Sequence, residues 1–138
     1  QRRGELDVEI DQIYFENMEG LDNIFAVSNL KKEFQSAVNE QWKTKPPWKR
    51  YQKKLIADLV VLSQEKERAV DLANFEKLRD TDRLYSIRHP KSKKNIRVIY
   101  TVYEGAIILL VAFLEKNDGD YKRAINVAER RLKLLESD

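Results

Sequence analysis

Two arginines on neighbouring apolar stretches are the residues of this chain best suited to chemistry. Arg88 ends the run Leu84-Tyr85-Ser86-Ile87-Arg88, and Arg97 interrupts Asn95-Ile96-Arg97-Val98-Ile99-Tyr100. Guanidinium groups fixed on a small sheet are good parts for holding a phosphate and stabilising charge that develops on it. His89 follows Arg88, just before Pro90. It is either a plain loop residue or a proton carrier, since an ordinary imidazole titrates near neutrality. Lys116 closes the apolar run that ends in Phe113-Leu114-Glu115-Lys116, and Lys91, Lys93 and Lys94 make a basic turn between the two arginine stretches. A separate group, Lys49, Arg50, Lys53 and Lys54, is either the solvated side of a helix or a contact for RNA backbone, which would depend strongly on salt.

Composition removes several other chemistries. The chain has no cysteine and one histidine, which excludes thiolate nucleophiles, disulfide scaffolds and Cys-based zinc sites. There is no Gly-rich phosphate loop, EF-hand loop or nucleophile elbow, so neither a metal nor a cofactor is expected. The longest apolar run, Ala106–Leu114, is strand-sized rather than membrane-sized, and a cytoplasmic protein is expected. Charge is unevenly placed. The first 22 residues carry Arg2 and Arg3 against seven acids, a net −5, which leaves +8 on the remainder of a chain whose total is +3. An acidic segment beside a basic body is the pattern of a polyanion binder or of an ordinary soluble surface.

The elements that must position these residues follow from periodicity. Residues 1–22 read as an acidic N-terminal extension with one extra strand, because Leu6, Val8 and Ile10 alternate with acids. Residues 23–138 read as one domain. Ile24–Val27 is a short buried strand, and Ser28 or Asn29 caps a helix with Phe34, Ala37, Val38 and Trp42 on its apolar face. Pro46 and Pro47 break that helix. A second begins at Trp48 and runs through Tyr51, Leu55, Leu59 and Leu62, giving an antiparallel helical hairpin. Residues 63–83 are charged, with Leu72, Phe75 and Leu78 as anchors onto the core. Strands then resume at Leu84 and at Asn95, Glu104-Gly105 makes a tight turn, and Ala106–Leu114 lies mid-sheet. Asp118 or Asp120 caps a terminal helix with a stripe from Tyr121 through Ala124, Ala128 and Leu132 to Leu135.

Register decides where the cations point. A turn centred between Ser92 and Lys93 sets Arg88 opposite Arg97, and leaves Tyr85, Ile87, Ile96, Val98, Tyr100 and Val102 on the apolar face. A turn at Glu104-Gly105 sets Tyr100 opposite Leu109 and Val98 opposite Val111. The other face then collects Ser86, Arg88, Arg97, Ala112 and Lys116, with the small Ala112 leaving room for an anion beside Arg97. Like charges directly opposite destabilise a sheet by a fraction of a kcal/mol, roughly, unless an anion sits between them. This reading requires both guanidinium groups to converge in one open hollow; side chains that point to opposite sides, or that are locked onto internal carboxylates, would end the case for a nuclease.

Residues 84–135 resemble the RelE/ParE superfamily of type II toxin–antitoxin toxins, in particular its RelE- and HigB-like (phage Gp49-like) branch. The resemblance lies in LYSIR before a basic turn, NIRVIY, the apolar strand ending in AFLEK, and the DYKRAI helix. It implies an α+β, RelE-like fold: a small, mainly antiparallel sheet with the helical hairpin on one face, a C-terminal helix, and a concave basic face opposite. It further implies a metal-independent endoribonuclease that cuts mRNA on the ribosome and leaves a 2′,3′-cyclic phosphate. Arg97 matches the family's phosphate-stabilising arginine, Arg88 a basic position on the preceding strand, and Lys116 a further cation. Tyr121 aligns with a tyrosine that stacks on a base or moves a proton. Two positions depart: the lysine expected on the Arg88 strand is Ser86, and the arginine expected near the end of the third strand is Asn117. Proton work would then fall to His89, Asp118 or the turn lysines.

The resemblance implies a cognate antitoxin, the ribosome and mRNA as partners. Two alternatives keep the fold but change the function: a ParE-like inhibitor of DNA gyrase, and an inactive interaction module. The acidic extension invites one more expectation, a built-in shield over the basic face, against the simpler role of a solubilising strand.

Overall fold

A computed structural model describes residues 10–12, 21–42, 47–88 and 95–136. In chain order the elements are β1 (Ile10–Gln12), β2 (Ile24–Val27), α1 (Leu30–Gln41), α2 (Trp48–Glu65), a 3-10 turn (Lys66–Asp71), β3 (Phe75–Lys77), β4 (Tyr85–Ile87), β5 (Asn95–Tyr103), β6 (Ala106–Glu115) and α3 (Asp118–Glu136). The strands form one sheet in the order β1-β2-β6-β5-β4-β3. All pairs are antiparallel except β2 with β6. A parallel pair needs a crossover, and the α1–α2 hairpin with β3 to β5 supplies one. The α+β class and the helical hairpin are as the sequence predicts.

The central strands β5 and β6 are buried along most of their length, which is why β6 reads as a continuous apolar run. Their turn at Glu104 and Gly105 has φ of 50° and 84°. Two left-handed residues in succession match the right-handed twist of the strands that they join. The ring of Phe34 meets that of Trp48 at 6.3 Å, tying α1 to α2, while Leu55, Leu59 and Leu62 carry α2 into the core.

Some local expectations change. Asn29 occupies the N-cap position of α1 but makes no side-chain capping bond. Trp42 lies beyond the last turn of α1 and is 37% exposed rather than on the apolar face, and Leu72 is 45% exposed while Phe75 and Leu78 are buried. Residues 63–83 hold the 3-10 turn and strand β3. Asn117, just before α3, does the capping expected of Asp118 or Asp120. Its Oδ1 accepts from Asp120 N at 3.2 Å, and Asp120 Oδ2 accepts from Asn117 N at 3.1 Å. These reciprocal bonds form a capping box with Asp in place of Glu. Asp120 Oδ2 also accepts from Lys116 N at 2.8 Å, and that backbone donor, first of all, holds the Asp120 carboxyl below its ordinary range.

The largest correction concerns β5 and β6. Tyr100 pairs with Leu109 as expected, but Val98 pairs with Ala112 and Arg97 with Phe113. The ladder slips between Ile99 and Tyr100, so Leu110 is an extra residue on β6, a β-bulge. Ala112 therefore faces the Val98 side, and Phe113 is the residue beside Arg97. The expected gap for an anion next to a small side chain is not there.

Beyond Leu109, β6 outruns β2, whose pairing stops at Ala26. Side chains from two helices take over that edge. Arg131 of α3 donates through Nη1 to Leu110 O at 2.8 Å, and Glu33 of α1 accepts from Ala112 N at 3.2 Å. The two then join each other, Nη1 to Oε1 at 3.1 Å and Nη2 to Oε2 at 2.7 Å. Removing one partner of a buried pair leaves the other charge uncompensated. Arg131→Leu should lower unfolding free energy by roughly 2–4 kcal/mol, discounted because Glu33 is partly exposed. Adding Glu33→Leu should recover more than half of the loss, as a double-mutant cycle of urea unfolding would measure.

Candidate active site

Strand alternation brings one set of polar residues to a single face. Glu76 pairs with Ser86, and Ser86 with Ile99. Arg97 lies two residues from Ile99 on the same face, opposite Phe113, and Glu115 and Arg88 continue their strands with the same alternation. Tyr121, in the first turns of α3, lies over this face. Its ring meets Phe113 edge-on at 5.3 Å, and the Arg97 guanidinium stands 5.2 Å from its centre.

Carboxylates organise the cluster. Glu76 Oε1 forms an ion pair with Arg88, 3.1 Å from its Nη1, while Glu76 Oε2 accepts from the Tyr121 hydroxyl at 3.0 Å. Arg97 donates through Nε to Glu115. Burial chiefly, helped by the nearby Glu76 charge and opposed by Ser86 and Arg97, pushes the Tyr121 hydroxyl up to about 12. It is therefore protonated at neutral pH. Two guanidinium nitrogens remain: Arg97 Nη1 and Arg88 Nε are buried and find no acceptor among the described residues. Such donors call for an anionic or polar partner.

The expected open hollow with two free arginines is corrected here. Arg88 and Arg97 do share a face with Tyr121, but each holds a carboxylate, and Arg97 is only 8% exposed. Lys116 lies apart. Its ammonium pairs with Glu40 of α1, whose hydrogen bond and charge raise its pKa above the ordinary lysine value. Ser86, at the position of the expected lysine, is fully buried. Lys49, Arg50, Lys53 and Lys54 are exposed on α2, with Arg50 stacked 5.8 Å from the Trp42 ring. His89, Lys91, Lys93 and Lys94 lie outside the described residues, as do residues 1–9 and 13–20 of the acidic extension.

Nothing in the residue pattern singles out Glu76 or Glu115. Both sit in ordinary strand sequences, Phe75-Glu76-Lys77 and Leu114-Glu115-Lys116, and only the register makes them partners of the arginines. Among the described residues no three His, Cys, Asp or Glu side chains come close enough to hold a metal, and no helix is long and apolar enough to cross a membrane.

Residues 46–133 match the family described as phage derived protein Gp49-like (DUF891), which spans β3 to β6 and most of α3 together with α2. No curated protein and no solved structure matches the chain.

One buried acid supports the cluster from behind. Asn74 O accepts from Arg88 N at 2.8 Å, and the Asn74 amide donates to Asp58 Oδ1 of α2 at 3.3 Å. Asp58 is buried and its second oxygen has no partner among the described residues. Burial pushes this carboxyl up to about 6, against the pull of Asn74 and Lys54. Its folded-state pKa thus lies above the unfolded value. Between about pH 4 and 6 the unfolded chain ionises first, so stability falls as pH rises through that window. Asp58→Asn keeps an acceptor for Asn74 and removes the charge. It should raise stability at pH 7.5 by roughly 2–3 kcal/mol and leave it unchanged at pH 3.5, as paired denaturant titrations would show.

Proposed function

The chain belongs to the phage-derived Gp49-like family, within the broader RelE/HigB-like toxin superfamily, and from that membership we propose that it is the toxin of a type II pair that stops translation by cutting ribosome-bound mRNA. Membership itself carries the general role in toxin–antitoxin biology and a protein antitoxin as partner. The finer reading is supported by one observation: Arg88, Arg97 and Tyr121 meet on one sheet face, with two buried guanidinium nitrogens that find no acceptor among the described residues.

Cleavage by attack of the ribose 2′-hydroxyl on the adjacent phosphate needs a proton acceptor, cationic stabilisation of the phosphorane and a donor for the departing oxygen. Arg97 and Arg88 are the cations in this reading. The product end is a 2′,3′-cyclic phosphate. The exposed lysines of α2 and the turn lysines make salt-sensitive contacts with RNA backbone. An antitoxin segment covers this face, burying on the order of 1,500 Å².

A second reading has its own support. Arg88 and Arg97 are held by Glu76 and Glu115, and Ser86 replaces the family's lysine. A face neutralised in this way suits a toxin that acts by binding alone, such as a gyrase inhibitor. The first reading is favoured because the same carboxylates supply the proton acceptor that a purely cationic face lacks.

Mapping the 5′ ends of mRNA by primer extension after induction separates the two: new ends within coding regions support cleavage, whereas intact mRNA with DNA breaks selects gyrase. Arg97→Ala should reduce cleavage by about 10²–10³-fold and relieve growth arrest, with the far-UV spectrum retained. A fully toxic, folded Arg97→Ala protein would remove Arg97 from the site.

A further inference from the structure

The open end of the α1–α2 hairpin carries an aromatic group that the fold does not bury. Trp42 closes α1 and is exposed, yet its indole is held in place. Its Nε1–H donates to the Tyr51 hydroxyl of α2 at 3.0 Å, and the two rings meet edge-on at 6.5 Å. Arg50 lays its guanidinium 5.8 Å from the centre of the Trp42 ring. Phe34 and Trp48 already tie the two helices, so joining them does not require Trp42. The charge beside the ring is of one sign. Lys49 and Lys53, and Arg50 and Lys54, form exposed i, i+4 rows along α2, and between Trp48 and Leu62 the one acid, Asp58, is buried. Cations in the first turn of a helix oppose its dipole, and no acid offsets them there. They cost α2 stability rather than supply it.

We propose that Trp42 is a stacking platform for an unpaired base of single-stranded RNA, with Arg50 and the lysines of α2 on the flanking phosphates. The proposal goes beyond the cleavage reading, because such a site needs neither the Arg97 cluster nor a ribosome. Stacking on an aromatic ring is tolerant of sequence, since every base has a π face, while cations follow the backbone. The indole is already fixed by Tyr51, so little side-chain freedom is lost when a base settles on it. Arg50, planar and weakly hydrated, stands where it reaches the phosphate of the stacked nucleotide. The apolar side chain of a partner protein would use the ring but not the rows of cations. Double-stranded RNA, whose bases are stacked inside the helix, would use the cations but not the ring. A single strand uses both.

The test follows the fluorescence anisotropy of a labelled oligouridine of about 12 nucleotides, titrated with the full chain at several salt concentrations and without ribosomes. Trp42→Ala should weaken binding about 10-fold or more with the salt dependence unchanged, and Trp42→Phe should keep most of the affinity. Lys53→Ala should weaken binding and flatten the slope of log K against log salt by about 0.7. A strand of the same length with abasic sites in place of its bases should bind wild-type protein no better than oligouridine binds Trp42→Ala. Trp42→Ala that holds oligouridine as wild type does, or an abasic strand that binds wild type as tightly as oligouridine, overturns the platform. So does a wild-type protein that binds no oligouridine at all. Tighter binding of the matching DNA strand takes the site away from RNA and overturns the assignment. Should Trp42→Ala melt early, the abasic strand decides the matter alone, since it needs no variant. None of these outcomes bears on cleavage, which is read separately from mRNA ends.

Discussion

One extra residue in β6 governs the rest of the molecule. Because Leu110 has no partner in the β5–β6 ladder, every side chain after it changes face relative to an unbroken hairpin. Phe113 and Glu115 come to the Arg97 side, where they floor the cluster and pair with the guanidinium. Ala112 goes to the other side, and its N–H is aimed at the edge that β2 leaves uncovered. There Glu33 and Arg131 stand in for a missing strand. A bulge thus sets both the make-up of the site and the docking of α1 and α3, which is the usual use of bulges beside functional residues.

The end of β6 carries this arrangement into α3. Asn117 and Asp120 satisfy one another's backbone donors, and Asp120 also takes Lys116 N. The chain is therefore fixed at the strand-to-helix turn, one residue before Tyr121. Placing an arginine at 117 would remove this cap, worth about 1 kcal/mol, and would loosen the residue that bridges Arg97 and Glu76. Asn117, where the resemblance implies an arginine, instead caps α3 through its own side chain.

Much of this was legible in the residues. The helical hairpin follows from the apolar spacing and the Pro46-Pro47 break, the tight turn from Glu104-Gly105, and the β4–β5 register from the basic turn, so that Tyr85 does stack with Tyr100 at 5.3 Å. Periodicity cannot reveal a bulge, because a single inserted residue within an apolar run leaves no polar mark. That is why Ala112 was expected where Phe113 lies. Nor does alternation announce which acids meet which arginines: Glu76 and Arg88 are joined by β3, a three-residue strand in a stretch too charged to show a pattern. Lys116 follows the strand but turns to Glu40 on α1, a partner 76 residues away in sequence.

The carboxylates on Arg88 and Arg97 alter what binding an RNA phosphate would require. A free guanidinium in an open hollow would keep its water until substrate arrived, and stripping it would cost several kcal/mol, roughly. Arg97 is already dehydrated by Tyr121, Phe113 and its neighbours, with Glu115 as resident anion. A phosphate that displaces Glu115 exchanges one oxyanion for another on the same buried cation, and the displaced carboxylate, at the strand's end, regains water. The exchange is then close to balanced at Arg97. On the mRNA-cleavage reading proposed above, affinity would then come chiefly from the exposed cations of α2, where contact is salt-dependent and blind to sequence. On that same reading, a site with near-neutral local charge and a basic body around it would bind through the body and spend its own contacts on the transition state, the division that favours rate over ground-state affinity.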